Sequence, residues 1–282
     1  MNSNENCEKY AVYKSNVIRQ LSATREGQKN GVWKSNGKTM CHILPLKGEQ
    51  NTPTNRAEAI KSCLNFDCSP FLQKGYMGLH RYAHHLNSSQ LLCMMFFSKL
   101  IDENSCATEK LVNFMKEAFG ISIDKNAKCT FEYKEEEPKF MIEGKKQYEG
   151  TSFDFHIAGS IEVFFEIKFT EYGFGKAEKD SRHYYYKAKQ YKDRLPKFLK
   201  DKLTEDDILN HYQLIRNIIR AENAKKIVIF ITDKNNPSTN KALSDFKELL
   251  KAEPANIKFK TWQDIKGIYS KYADVPFQFK AI

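Results

Sequence analysis

Ser152-Phe153-Asp154-Phe155-His156-Ile157-Ala158-Gly159-Ser160-Ile161-Glu162-Val163-Phe164-Phe165-Glu166-Ile167-Lys168-Phe169 alternates apolar and polar residues, pauses at a small polar triplet, then continues as a run rich in β-branched and aromatic residues. Period-2 alternation on either side of Ala158-Gly159-Ser160 predicts two antiparallel strands joined by a three-residue turn at 158–160. With that turn Asp154 lies across from Phe164 and diagonal to Glu166, with backbones roughly 7 Å apart. Asp154, Glu166 and Lys168 then project from one side. A two-residue turn at Gly159-Ser160 would point Asp154 away, so the turn carries the reading.

Two carboxylates and an ammonium among Phe153, Phe155, Phe164, Phe165, Ile167 and Phe169 are costly to desolvate unless something compensates them. A divalent cation would do so. Oxygen ligands suit Mg²⁺, with Mn²⁺ as a substitute, and such ions keep waters, one of which can become a nucleophile. A lysine two residues beyond the second carboxylate would orient that water or offset charge on a scissile phosphate. Glu-x-Lys alone is more often a solvent-facing ion pair. Weighing against that here are the acid of matching parity on the adjacent strand, the apolar surroundings and the order of the flanking elements.

Outward from the hairpin, Cys129, Phe131 and Tyr133 alternate as a preceding strand. Before it, Asn87-Ser88-Ser89 caps an apolar helix, and residues 108–119 form a helix stopped by Gly120. Beyond it come a basic helical segment to about Arg194, a helix over 204–223, and Lys226-Ile227-Val228-Ile229-Phe230-Ile231. That last run reads as a strand buried on both faces. A helix over 240–251, a strand over 257–260 and a final helix after Trp262 follow. The expected fold is α/β: a mixed sheet of about five strands flanked by helices, over residues 86–282. Residues 1–85 show no sustained period beyond a helix near 9–21, and are expected to form an N-terminal extension.

The hairpin resembles the PD-(D/E)XK nuclease superfamily, the restriction-endonuclease-like fold, over roughly residues 88–260. Its pattern of an acid on the second core strand and (D/E)-x-K on the third is matched by Phe153-Asp154 and Glu166-Ile167-Lys168. Phe153 stands where the usual proline would, which leaves the metal-binding logic intact. Leu86-Asn87-Ser88-Ser89-Gln90, the run Glu166-Ile167-Lys168-Phe169-Thr170-Glu171 with Gly173-Phe174-Gly175, and Tyr212-Gln213-Leu214-Ile215-Arg216-Asn217 are similar to a bacterial family of restriction endonucleases. The resemblance implies that Asp154, Glu166 and the backbone carbonyl of Ile167 hold Mg²⁺ while Lys168 assists the water. It also implies accessory roles for Gln213, from a following helix, and for Gln90, near the start of the first core helix.

Composition sets the partner class. Lys and Arg number 45 against 35 Asp and Glu, a net charge of +10, which favours a polyanion. Between residues 176 and 202 there are ten Lys and Arg against four acids, interleaved with Tyr184, Tyr185, Tyr186 and Tyr191. Up to Arg194 this stretch has no Leu, Ile, Val or Met, so Lys176, Arg182, Lys187 and Tyr191 are candidate DNA contacts, through phosphate pairing and base stacking. The alternative there is a solvated helix packed through its tyrosines. Gly173 and Gly175 just upstream would let the segment move over a substrate.

Seven irregularly spaced cysteines make no disulfide framework and fit a reducing cytoplasm. Cys63 and Cys68 with His80, His84 and His85 match no strong zinc spacing. No apolar run is long enough to span a membrane, and the polar start has no leader-like stretch. The expected activity is Mg²⁺-dependent endonuclease cleavage of DNA in defence, with homodimerisation serving to cut both strands. The rivals are a non-cleaving nucleic-acid-binding protein on the same fold, and an exonuclease or a repair or junction-resolving nuclease.

Overall fold

A computed structural model describes residues 3–29, 34–35, 38–46, 50–71, 79–134, 140–142, 145–147, 152–177, 184–200, 203–250 and 254–282. The helices are α1 (Ser3–Ser22), α2 (Arg25–Lys29), α3 (Pro53–Leu64), α4 (Ser89–Phe97), α5 (Glu109–Phe119), α6 (Tyr184–Arg194), α7 (Lys197–Lys200), α8 (Glu205–Asn210), α9 (Tyr212–Ile218), α10 (Pro237–Leu250) and α11 (Trp262–Tyr269). Short ladders pair β1 (Lys34–Ser35) with β2 (Lys38–Thr39), and β4 (Phe140–Ile142) with β5 (Lys145–Gln147). The central sheet runs β3 (Lys128–Lys134), β6 (Ser152–Ala158), β7 (Glu162–Ile167), β8 (Lys226–Thr232), β9 (Ile257–Thr261). The first three strands are antiparallel and the last three parallel, the expected mixed five-strand sheet.

Two hydrophobic cores cover its faces. One packs Phe131, Phe155, Phe165 and Ile229 against α4, α5 and α11, and takes in Val17, Leu21, Ala59 and Ile60 from the N-terminal helices. The other packs Phe164, Val228 and Phe230 against the helices between β7 and β8 and against α10. β8 is buried along nearly its whole length, as its continuous apolar run requires. α4 carries buried residues all round because it lies between the sheet and other helices, with Ser88 accepting from the Leu91 N–H as its N-cap.

Three features depart from the expected pattern. The hairpin ladder pairs Phe155 with Phe165, His156 with Phe164 and Ile157 with Val163, so the turn occupies 159–161 rather than 158–160. Asp124 fixes it there, accepting from Ser160 N–H and from Ser160 Oγ at 2.8 Å. A Cβ on Gly159 would come within 2.7 Å of the same carboxylate. The helix expected over 204–223 is two helices, divided at His211 where φ is −113°. The stretch before β3 also holds α3, started by the Thr52 cap and Pro53.

Candidate active site

The corrected turn brings Asp154 directly across from Glu166, one step beyond the Phe155–Phe165 pair, instead of diagonal to it. Parity is unchanged, so the two acids still meet. On the other side of Asp154 the β3–β6 ladder runs through Phe131–Phe155 and Tyr133–Phe153 but skips the Glu132–Asp154 step. Phe155 belongs to one core and Phe153 to the other, although two residues apart on a regular strand would share a face. Phe131 and Tyr133 are split in the same way. The pleat therefore breaks at one level on both strands. Glu132 takes φ 50° at that break.

The result is three acids side by side across three strands. Burial, then the charges of Glu166 and Glu132, push the Asp154 carboxyl well above the usual range; Lys168 and the Ile167 N–H pull the other way. Glu132 is pushed up to about 7, chiefly by burial and further by Glu166, against a lowering hydrogen bond from Gln90. One oxygen of Asp154 accepts from Ile167 N–H at 2.6 Å. In a strand the N–H and C=O of one residue face the same neighbour, so the Ile167 carbonyl also looks toward β6 and the acids.

Glu166 is almost fully enclosed, with each carboxylate oxygen engaged. Oε1 lies 2.6 Å from Lys168 Nζ and accepts from Gln213 Nε2 at 2.8 Å. Oε2 accepts from Asn217 Nδ2 at 2.9 Å. Burial alone would lower the Lys168 ammonium, but Glu166, Glu171 and Asp154 outweigh it and hold it above its ordinary value. Lys168 thus stands beside Glu166 as a donor and a counter-charge.

Of the residues expected from sequence, Asp154, Glu166, Ile167, Lys168 and Gln213 come together here. Gln90 joins them through Glu132, while its Oε1 accepts from His80 N–H at 2.8 Å. Lys176 is exposed just past the site. Tyr191 is a correction: it is wholly buried, edge-on to Tyr212 at 5.3 Å, and serves the second core instead of stacking on bases. The absence of aliphatic residues in α6 is answered by Tyr191 and Ala188 packing inward. Arg182 lies outside the described residues, and of Lys187 the backbone alone is described. Among the described residues no three His, Cys, Asp or Glu side chains are gathered into a ready-made metal-binding group, neither Cys63 and Cys68 with His80, His84 and His85 nor the three acids themselves.

Sequence reasoning missed Asn217 and Glu132. Asn217 follows Gln213 by four residues, hence on one helical face, a signal that was present. Glu132 stood on the polar phase of its strand, but its αL backbone had no signature. The side chains that brace the backbone after Lys168 were also missed. Tyr13 Oη, with one hydrogen to give, lies between Asp233 Oδ2 at 2.8 Å and Phe169 O at 2.9 Å; Tyr10 Oη donates to Thr170 O at 2.7 Å, and Asn236 Nδ2 to Glu171 O at 2.9 Å. These bonds fix the chain just after Lys168.

No helix among the described residues is long and apolar enough to cross a membrane. No curated protein and no solved structure matches the chain. The family model described as "Restriction Endonuclease associating with ARP" matches residues 8–271, spanning the acidic hairpin, its amide-bearing helix and the N-terminal tyrosines that brace it. The chain belongs to that restriction-endonuclease family.

Proposed function

We propose that the protein is a Mg²⁺-dependent endonuclease that hydrolyses DNA phosphodiester bonds in a defence role. The observation that carries this is the meeting of Asp154, Glu166 and Lys168 at the broken level of the sheet, with the Ile167 N–H bonded to Asp154. The donor set fits a hard divalent cation: it is all oxygen, and the Asp154 carboxyl is crowded by like charge in a way a cation would relieve. Asp154, Glu166 and the Ile167 carbonyl would hold Mg²⁺, or Mn²⁺ in its place. The ion would supply an activated water and charge stabilisation at the phosphate.

The chain's own contribution is orientation. Gln213 and Asn217 hold the Glu166 carboxylate from α9, leaving it little freedom to rotate. Lys168, kept charged, would aim a hydrogen bond at the water or the phosphate oxygen. Cutting both strands would call for two copies of this site, and a cytoplasmic setting suits the free thiols.

Purified protein with Mg²⁺ or Mn²⁺ should cleave DNA. Asp154→Ala and Lys168→Ala should each remove cleavage while circular dichroism and melting show a folded chain. Cleavage at the wild-type rate by either folded variant would sink the assignment. A non-cleaving DNA-binding protein would show salt-sensitive binding without metal-dependent turnover. Linear, circular and branched substrates separate the endonuclease from exonuclease or junction-resolving activities.

A further inference from the structure

A cleft of about 680 Å³ lies between the 172–176 loop, α8–α9 and α10, with Phe174 in its lining. Such a volume falls in the range of small-ligand sites. Its lining combines an aromatic ring, cations and neutral polar groups: Tyr172, Lys176, Asn210, His211 and Ser238, with Lys241 ion-paired to Asp245 at 2.8 Å. Tyr172 is 55% exposed. It is held in place, its hydroxyl 3.1 Å from Cys7 Sγ and its ring edge-on to Tyr10 at 4.8 Å.

The cleft is wired to the site. Gly175 N–H donates to Gln213 Oε1 at 3.0 Å, and Gln213 Nε2 donates to Glu166. Lys168 Nζ lies 5.6 Å from the centre of the Phe174 ring. Gly173 takes φ +64°, and a Cβ there would come within 3.3 Å of Ser238 Oγ, so a larger residue would be strained and would press on the cleft.

We propose that this cleft takes one nucleotide of the substrate strand, its base out of the stack against Tyr172 and its phosphate on Lys176. The assignment rests on the nuclease reading and narrows the substrate. An exposed ring recognises the flat face of a base, and that face is covered inside a regular duplex. An exposed lysine beside it pairs with phosphate, and the exposed Asn210 offers hydrogen bonds to a base edge. The preferred substrate is therefore nucleic acid with a base free to leave the stack near the cut: a single strand, a mismatch, an abasic partner or an end.

The test uses oligonucleotides with 2-aminopurine at successive positions around the cut, bound to full-length Lys168→Ala protein. One position should brighten or quench on binding. Adding Ala242→Trp, which fills the cleft, should abolish that change, and Tyr172→Ala should weaken binding about tenfold. On the Lys168-containing protein, Ala242→Trp and Lys176→Ala should cut mismatched and single-stranded substrates at least tenfold more slowly, with wild-type melting temperatures. If wild-type protein cuts while every probe position is silent and Ala242→Trp cuts normally, the cleft assignment falls and the nuclease reading stands. A position-specific signal lost in Ala242→Trp, without metal-dependent cutting by the wild type, would instead keep the cleft and overturn the nuclease.

Discussion

At Glu132 the backbone lies in the left-handed region, where a residue with a Cβ costs on the order of 1–3 kcal/mol. Its carboxyl is also raised by burial and by Glu166. Both features work against stability, so Glu132→Gly should raise the melting temperature by about 2–4 °C. If Glu132 shares the cation, the same change should weaken Mn²⁺ affinity, read by calorimetry. A lower melting temperature would show that the strain is absent. Asn217 makes the opposite trade. It is fully buried and donates to Glu166, so Asn217→Ala should cost about 1–3 kcal/mol and should slow cleavage by roughly 10–100-fold. Unchanged cleavage by a folded Asn217→Ala protein would show that Glu166 needs no support from α9. Strand parity made Asp154, Glu166 and Lys168 legible in sequence, because a period of two survives a turn displaced by one position. Glu132 was not legible, since its role depends on a backbone twist that no neighbouring glycine or proline announces.

Among the elements, the chain between 79 and 88 is held by bonds to residues 42–44: Leu44 N–H donates to His84 O at 3.0 Å and Leu86 N–H to His42 O at 2.8 Å. Four histidines crowd this junction. Burial holds His84 down to about 4, with Arg56 adding to it. Burial, then His84, His42 and Lys14, hold His85 down to about 3. The unfolded chain takes up protons near pH 6.5, whereas these folded imidazoles do so only at lower pH. Between about pH 6.5 and 4 the unfolded state binds more protons, so stability falls as pH falls. Thermal midpoints should decline across that window, and His84→Gln should flatten the decline; an equally steep profile in the variant would place the acid lability elsewhere. The sequence legibly marked α4, α5, β8 and β9, whose apolar stripes or runs follow from the cores they pack into, β8 being covered on both faces. It missed α3, which buries only Arg56, Ala59 and Ile60 and so shows no apolar stripe, and the break at His211, which divides two helices too short to carry a period of their own.

Across the whole molecule, α1 packs near α10 and the C-terminal turn at Phe277–Ala281. Tyr13 ties it to Phe169 and to Asp233, which also accepts from Gln263 Nε2 at 2.6 Å. Tyr13→Phe removes this shared hydroxyl contact and should cost about 1–3 kcal/mol, seen in urea unfolding, with a fall in kcat larger than any change in KM. A loss of stability with kcat intact would confine α1 to a structural role. The mixed sheet carries one more consequence, in time rather than space. β6 and β7 are joined by a tight turn and can pair early, but β7 meets β8 in parallel only after the long crossover from 168 to 225 has closed. Gln213 and Asn217 ride on that crossover. A refolding chain would thus own its acids before it owns the amides that aim them, and catalytic competence should return in a slower phase than hairpin formation.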